Sequence, residues 1–211
     1  MQNLRLHRKK GIKTSNVVVV LFLISCFLGN DVNAQKQVVA AKPLATVDSL
    51  MVKQLFFSAI REKTIENTKH AAEMFERILQ TDPSNDASMF ELANIKKSHN
   101  DYIGAQPLLE KAVAINPDNE WYWVALADSY EKSNSINKLE NVFNQLIRLN
   151  PDKSEYYFDK ANAYTILKRY DDALKVYDEL EKLNGPSDDI LANRQKIYLK
   201  QGKIEQAASE L

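Results

Sequence analysis

Prolines recur along this sequence at a nearly constant spacing. Pro83, Pro117 and Pro151 lie 34 residues apart, and Pro186 follows after 35. Each of the first three comes directly after Asp or Asn and ends an apolar run rich in helix-forming residues. Because the proline ring disfavours α conformation at the residue before it, each of these prolines marks the end of a helix. The sequence therefore predicts a repeating helical unit of 34 residues.

Each unit contains two helical segments. Apolar residues recur within it at steps of three and four, which gives each of two helices one apolar stripe. Polar turn segments such as Asn100-Asp101 and Asn134-Ser135 separate the two stripes. One small residue per unit lies where two helices must approach closely: Ala59, Ala93, Ala127 and Ala161. A single hairpin cannot bury both of its faces, so the hairpins are expected to stack on one another.

This spacing resembles that of the tetratricopeptide repeat family, in which small, large and apolar residues precede a proline at fixed positions. The third unit carries the pattern with Trp123, Leu126, Ala127, Phe143 and Pro151. The resemblance covers about 160 residues, as repeats 52–85, 86–119, 120–153 and 154–187 and a partial repeat 188–211. It implies an all-α fold: a right-handed superhelical solenoid of antiparallel helix pairs, with about four and a half tetratricopeptide repeats.

Five positions depart from the family pattern. Glu62 and Lys96 replace an aromatic residue, Lys160 and Arg194 replace an apolar residue, and Leu139 is larger than the usual small residue. None of these changes alters the spacing, because the repeats follow one another without insertion.

The resemblance also implies where a partner would bind, because in this family the first helix of each pair lines a concave groove. The groove residues carried over to this chain are Phe56, Phe90, Asn94, Trp121, Val124, Asp128, Phe158 and Asn162. Their rings suit the apolar side chains of an extended or helical peptide, and their amides suit its backbone. The alternative is that the rings pack against the adjacent second helix and complete the core. Trp121 is the most informative, because Trp123 already occupies the core position.

Residues 1–34 are predicted to be a secretory signal peptide, and residues 35–46 a polar linker before the repeat array at 47–211. A basic stretch ends at Lys13, an apolar run extends from Val17 to Leu28, and small residues precede Gln35. The apolar run would span roughly 18 Å as a helix, against a hydrocarbon core of about 30 Å. It is therefore expected to act as a cleaved signal more readily than as a membrane anchor.

Cys26, the only cysteine of the chain, leaves the processing open. Leu23-Ile24-Ser25-Cys26 resembles a bacterial lipobox, which makes Cys26 a candidate for lipidation. Cleavage after Ala34 and an uncleaved anchor are the alternatives. The sequence predicts export to the periplasm or the outer membrane of a Gram-negative bacterium, with membrane attachment only through the signal peptide or a lipid. The signal and its junction resemble those of the Bacteroidetes.

Composition narrows the partner and the chemistry. Positions 1–34 hold five basic residues and one acidic residue, so the rest of the chain carries a net charge of about −4. A mildly acidic array attracts polyanions poorly, and no nucleic acid partner is expected. The three histidines are isolated, and paired-cysteine, phosphate-loop and serine-elbow motifs are missing. The sequence predicts no catalytic residue, no metal site and no cofactor.

The sequence thus predicts a non-catalytic protein–protein interaction scaffold of the bacterial envelope, with a protein or peptide partner in its groove. The alternative is the sensory or substrate-recruiting part of a longer enzyme or histidine kinase, with a catalytic region beyond residue 211. The fifth repeat stops within its second helix, which is expected of a piece of a longer array. A chain that docks its open end on a partner is the other interpretation.

Overall fold

The computed structural model describes residues 46–210, with side chains from Asp48 onward. The predicted signal peptide, Cys26 and all of the predicted linker except Thr46 lie outside these residues. The described helices are α1 (Thr46–Thr64), α2 (Thr68–Thr81), α3 (Asp86–Ser98), α4 (Tyr102–Ile115), α5 (Glu120–Lys132), α6 (Leu139–Leu149), α7 (Ser154–Ile166), α8 (Tyr170–Asn184), α9 (Asp188–Lys200) and α10 (Ile204–Ser209). A 3₁₀ turn at Ile136–Lys138 precedes α6. Residues 46–210 contain no β-strand.

The helices form five pairs that match the predicted repeats. Each helix packs against the helices directly before and after it along the chain. The pairs stack as a right-handed solenoid, so the fold class predicted from the spacing is confirmed. In the first three pairs the second helix stops two residues before a proline, at Thr81, Ile115 and Leu149. In the fourth pair α8 ends at Asn184, and Gly185 adopts φ 82° before Pro186.

The turn inside every pair has the same backbone geometry. One residue in each turn has a positive φ: Glu66 (63°), Asn100 (61°), Asn134 (59°), Lys168 (59°) and Gly202 (72°). These residues lie 34 positions apart along the whole array. Glycine adopts this left-handed conformation freely and asparagine tolerates it, whereas other residues incur a cost of about 1–2 kcal/mol. The turn conformation therefore repeats as strictly as the apolar stripe does.

The core is an apolar seam that runs between neighbouring helices. The small residues of the first helices are buried: Ala59, Ala93, Ala127 and Ala161. They cluster with large buried residues of the second helices: Phe75, Leu109, Phe143 and Tyr177. Leu139 is buried as well, at the position where the other repeats have alanine. It is also the first residue of α6, which begins after the 3₁₀ turn.

Glu62 and Lys96, which replace an aromatic residue, contact the turn that follows their helix. The Asn67 amide donates to the Glu62 carboxylate at 2.6 Å, and Lys96 donates to the Asp101 carboxylate at 3.2 Å. Both side chains remain partly exposed. The polar replacements thus fix the turn geometry at a position where the family pattern has a ring.

Arg194, which replaces an apolar residue in α9, forms ion pairs with the neighbouring helices. It donates to Asp178 and, at 2.8 Å, to Glu181, both on α8. Its Nη1 also lies 3.9 Å from the Glu210 carboxylate, which follows α10. The Arg194 side chain is only 14% exposed, so these carboxylates compensate the burial of its charge. Charge therefore joins the fourth and fifth pairs at a site where the family pattern has an apolar contact.

Hydrogen bonds recur between successive first helices. The Tyr122 hydroxyl donates to the Asp86 carboxylate at 3.1 Å, and the Tyr156 hydroxyl donates to the Glu120 carboxylate. In both bonds the acid is the first residue of one first helix, and the tyrosine is the third residue of the next first helix. These bonds fix the position of α5 against α3 and of α7 against α5.

The two tryptophans of α5 test the orientation of that helix. Trp123 is 7% exposed and its Nε1 donates to the Pro117 carbonyl at 2.7 Å, whereas Trp121 is 71% exposed. We expect Trp123→Ala to lower the free energy of unfolding by about 3–5 kcal/mol. Trp121→Ala should lower it by less than about 1 kcal/mol. Urea unfolding followed by circular dichroism measures both changes, and equal losses would contradict the described orientation of α5.

Candidate partner-binding groove

The predicted binding residues lie on one face of their helices. On α5, Trp121, Val124 and Asp128 are separated by three and four positions, which places them on the same side of the helix. Equivalent positions hold Phe56 on α1, Phe90 and Asn94 on α3, and Phe158 and Asn162 on α7. We call this side of α1, α3, α5, α7 and α9 the groove face.

Ion pairs join the groove face from one first helix to the next. Lys63 on α1 lies 2.5 Å from the Glu91 carboxylate on α3, and Lys97 on α3 lies 2.7 Å from the Asp128 carboxylate on α5. These pairs show that the groove faces of α1, α3 and α5 adjoin. Asp128, which was predicted to meet a partner, is therefore already paired with a cation of its own chain.

Trp121 is the predicted groove residue with the most exposed ring. Its side chain lies 71% open to solvent, although the neighbouring positions 122 and 123 are buried. Exposing so large an apolar surface is unusual for a tryptophan, whose ring normally contributes strongly to burial. The exposed ring therefore gives α5 an apolar contact surface that the core does not use.

The other apolar groove residues are shared between the surface and the core. Phe56 contacts the ring of Phe75 with centroids 5.6 Å apart, and Phe90 contacts the ring of Tyr122 at 5.0 Å. Phe158 lies 5.6 Å from the ring of Tyr177, and Val124 packs on the core cluster of the central repeats. All four side chains are half-buried. Both sequence interpretations of these residues thus hold in part, because each residue packs on one side and is open on the other.

A cleft of about 480 Å³ opens beside Phe158, at the end of the groove face formed by α7 and α9. Phe158, Tyr177 and Ile197 supply its apolar lining. Its polar lining includes Asp159, Asn162, Asn193, Lys196 and Lys200. A cleft with an apolar floor and a few polar groups suits a side chain that carries both characters.

Two carboxyl groups of the groove face have pKa values above their ordinary range. Loss of surrounding water raises the pKa of Glu131, and the negative charges of Asp159 and Asp128 raise it further. Loss of water also raises the pKa of Asp159, and the charge of Glu155 adds to the effect. At neutral pH these side chains therefore concentrate negative charge on α5 and α7.

Glu131→Gln tests this electrostatic arrangement. A carboxyl whose pKa is higher in the folded than in the unfolded chain stabilises the fold only at low pH, and this contribution is lost as pH rises through the folded pKa. Glu131→Gln should therefore raise the urea midpoint at pH 7, and the difference from wild type should disappear near pH 4. Glu76→Gln, at an exposed position on α2, is the control and should leave the midpoint unchanged. A Glu131→Gln variant that is less stable than wild type at pH 7 would contradict the arrangement.

Sequence reasoning missed Asp159 and Asn193, which line the cleft at one and the same repeat position. Glu91 holds that position in the second repeat and pairs with Lys63. The missed signal was the residue that directly follows each half-buried ring or small residue of the groove, such as Asp159 after Phe158.

The described histidines make local contacts only. His99 Nδ1 lies 2.8 Å from the Ile95 carbonyl in its own helix, and His70 lies 3.4 Å from the Glu73 carboxylate. Within residues 46–210, no three side chains of the metal-binding types come together. No helix in this same range has the length and apolar character needed to cross a membrane.

Comparison with known proteins agrees with this geometry. Two models of the tetratricopeptide repeat match residues 97–159 and 154–186. The helix pairs described above are therefore assigned to the tetratricopeptide repeat class of protein-interaction solenoids. No curated protein sequence matches the chain significantly.

Solved structures of the same class resemble the array. A crystal structure of MamA matches with a TM-score of 0.62 at 14% identity and covers 75% of this chain and 87% of MamA. A MamA structure from Desulfovibrio magneticus RS-1 has a TM-score of 0.58 at 11% identity and covers 75% of this chain and 90% of that one. YrrB, described as a tetratricopeptide repeat protein with an unusual peptide-binding site, has a TM-score of 0.61 at 16% identity and covers 79% and 90%. At these identities the likeness shows the fold.

Proposed function

We propose that this protein is a non-catalytic scaffold of the bacterial envelope that binds a peptide segment of a partner protein along the groove face. The ligand is an extended or helical segment with apolar side chains. Its apolar side chains meet Trp121, Phe90 and Phe158, and its backbone meets the amides of Asn94 and Asn162. Scaffolds of the tetratricopeptide class are typically non-catalytic.

The observation that carries the proposal is the open ring of Trp121. It stands 71% exposed on the helix face that also carries Val124 and Asp128. Tryptophan is enriched among residues that dominate binding energy, because one ring buries a large area with little loss of side-chain entropy. A peptide-binding site in YrrB, a protein of similar fold, supports the same use of this chain.

The groove face also offers polar partners for a peptide backbone. Asn162 is exposed and Asn94 is half-exposed, and each lies one helical turn from a half-buried ring. An apolar pocket next to an amide is the arrangement by which grooves bind extended chains with both affinity and register. The proposal therefore draws on two kinds of contact, rings for affinity and amides for alignment.

The test is the selection of binding peptides from a random dodecapeptide library on the purified full chain. We expect Trp121→Ala to weaken the selected peptide by about tenfold or more, which corresponds to about 1.4 kcal/mol. Fluorescence anisotropy of the labelled peptide measures the affinity. Unchanged affinity in both Trp121→Ala and Phe158→Ala would rule out the groove face as the binding surface.

Ile103→Ala is the matched control for this experiment. Ile103 is an apolar side chain on α4, a second helix, and is 73% exposed, which is close to the exposure of Trp121. Its replacement removes exposed apolar surface away from the groove face and should leave peptide affinity unchanged. An equal loss in Ile103→Ala would indicate general apolar adsorption.

Export to the periplasm or the outer membrane is the second part of the proposal and depends on the signal-like residues 1–34. Mass spectrometry of the protein isolated from its native cells should find a mature chain that begins at Gln35, or an acylated chain that begins at Cys26. An intact chain recovered from the cytoplasm would contradict export. The two processed forms distinguish a periplasmic protein from a lipid-anchored one.

A further inference from the structure

One register of the groove face brings the side chains of successive first helices together. In the first two repeats this register pairs Lys63 on α1 with Glu91 on α3 at 2.5 Å. Lys63 is the twelfth residue of its repeat, and Glu91 is the sixth residue of the next repeat. The geometry of the solenoid therefore places these two repeat positions within contact distance.

The same register carries two acids between the third and fourth repeats. Glu131 holds the twelfth position and Asp159 holds the sixth, so the lysine of the first pair is replaced by a glutamate. Among the described residues, neither carboxylate has a basic nitrogen within 4 Å. Nearby Asp128 is paired with Lys97 at 2.7 Å, which leaves Glu131 and Asp159 as the uncompensated charges at this register.

The surroundings make this lack of a counterion costly. Loss of water and mutual repulsion raise the pKa values of both groups, so keeping both ionised at neutral pH works against folding. A cation placed between them would reverse this effect, as Lys63 does beside Glu91. Charge complementarity thus favours a basic group at the site.

The adjoining cleft indicates what carries that basic group. Asp159 lines a cleft of about 480 Å³ whose floor is formed by Phe158, Tyr177 and Ile197. An apolar floor beside an acidic pair suits the long apolar stem and charged head of lysine or arginine, together with an apolar neighbour. A bare metal ion would meet no third acidic, histidine or cysteine ligand among residues 46–210.

Building on the proposed function, we propose that the groove face selects peptide segments with a lysine or arginine whose cationic head lies between Glu131 and Asp159. An adjacent apolar side chain of the same segment lies over Phe158 and Tyr177. Lys196 and Lys200 line the cleft from α9 and would repel a second basic residue there. The site therefore reads one basic residue, at the side formed by α5 and α7.

The decisive variant is Glu131→Lys, which restores at this register the lysine–acid pair that the first two repeats already contain. The new lysine should pair with Asp159 and so occupy the place of the partner's basic group. We expect this variant to fold at least as stably as wild type. It should nevertheless lose the preference for basic peptides.

The experiment compares peptides selected from the random dodecapeptide library on the full chain. Lysine and arginine should be enriched in the wild-type selection, and replacing the basic residue of the best peptide by methionine should weaken its binding at least tenfold. With Glu131→Lys, the basic and methionine peptides should bind equally. Glu179→Lys makes the same charge change at an exposed position of α8 and should keep the wild-type preference.

The outcomes separate this inference from the proposed function. Peptides that bind and depend on Trp121, but with no preference for a basic residue, would overturn the inference alone. The same holds for a Glu131→Lys variant that retains the preference. If Glu131→Lys does not fold, the double variant Glu131→Gln/Asp159→Asn replaces it, with the same expected loss. A chain that selects no peptide at all would overturn both proposals.

Discussion

The structure depends on the close approach of a small residue on each first helix to a large residue on the second. Ala59, Ala93 and Ala161 have no exposed surface, and each clusters with a buried ring or leucine of its own repeat. This contact leaves each hairpin with another apolar side, which only the next hairpin can cover. Stacking is therefore the means by which every repeat completes its core. Hydrogen bonds such as Tyr122 to Asp86 then fix the position of one unit on the next.

The groove face is the remainder of this packing. The first helices use two sides for the seam, and their third side carries the residues that the core does not require. On that side the chain alternates between contacts that it satisfies itself and contacts that it leaves open. Lys63 with Glu91 and Lys97 with Asp128 are satisfied, whereas the ring of Trp121 and the pair of Glu131 and Asp159 are open. Recognition would follow from the open contacts, because satisfied ones have nothing to gain from a partner.

The sequence alone predicted the repeat length, the helix ends at the prolines and the opposite environments of Trp121 and Trp123. These features depend on spacing within one unit, where helix geometry relates sequence position directly to direction. It did not predict the ion pairs across repeats, the enclosure of Arg194 by acids, or the acidic pair beside the cleft. Those contacts join side chains about 13 to 31 residues apart whose meeting depends on how one helix is displaced against its neighbour. Comparing the sixth and twelfth positions of successive repeats would have indicated them.

The left-handed turn residue has a consequence for how far this array lies from its most stable sequence. Asn100, Asn134 and Gly202 suit that conformation, but Glu66 and Lys168 hold it against their own preference. Packing of the flanking helices must supply the work that keeps these two backbones in place. The first and fourth repeats thus carry a standing strain that the second and fifth do not. Local opening should begin at those two hairpins well before the solenoid as a whole comes apart.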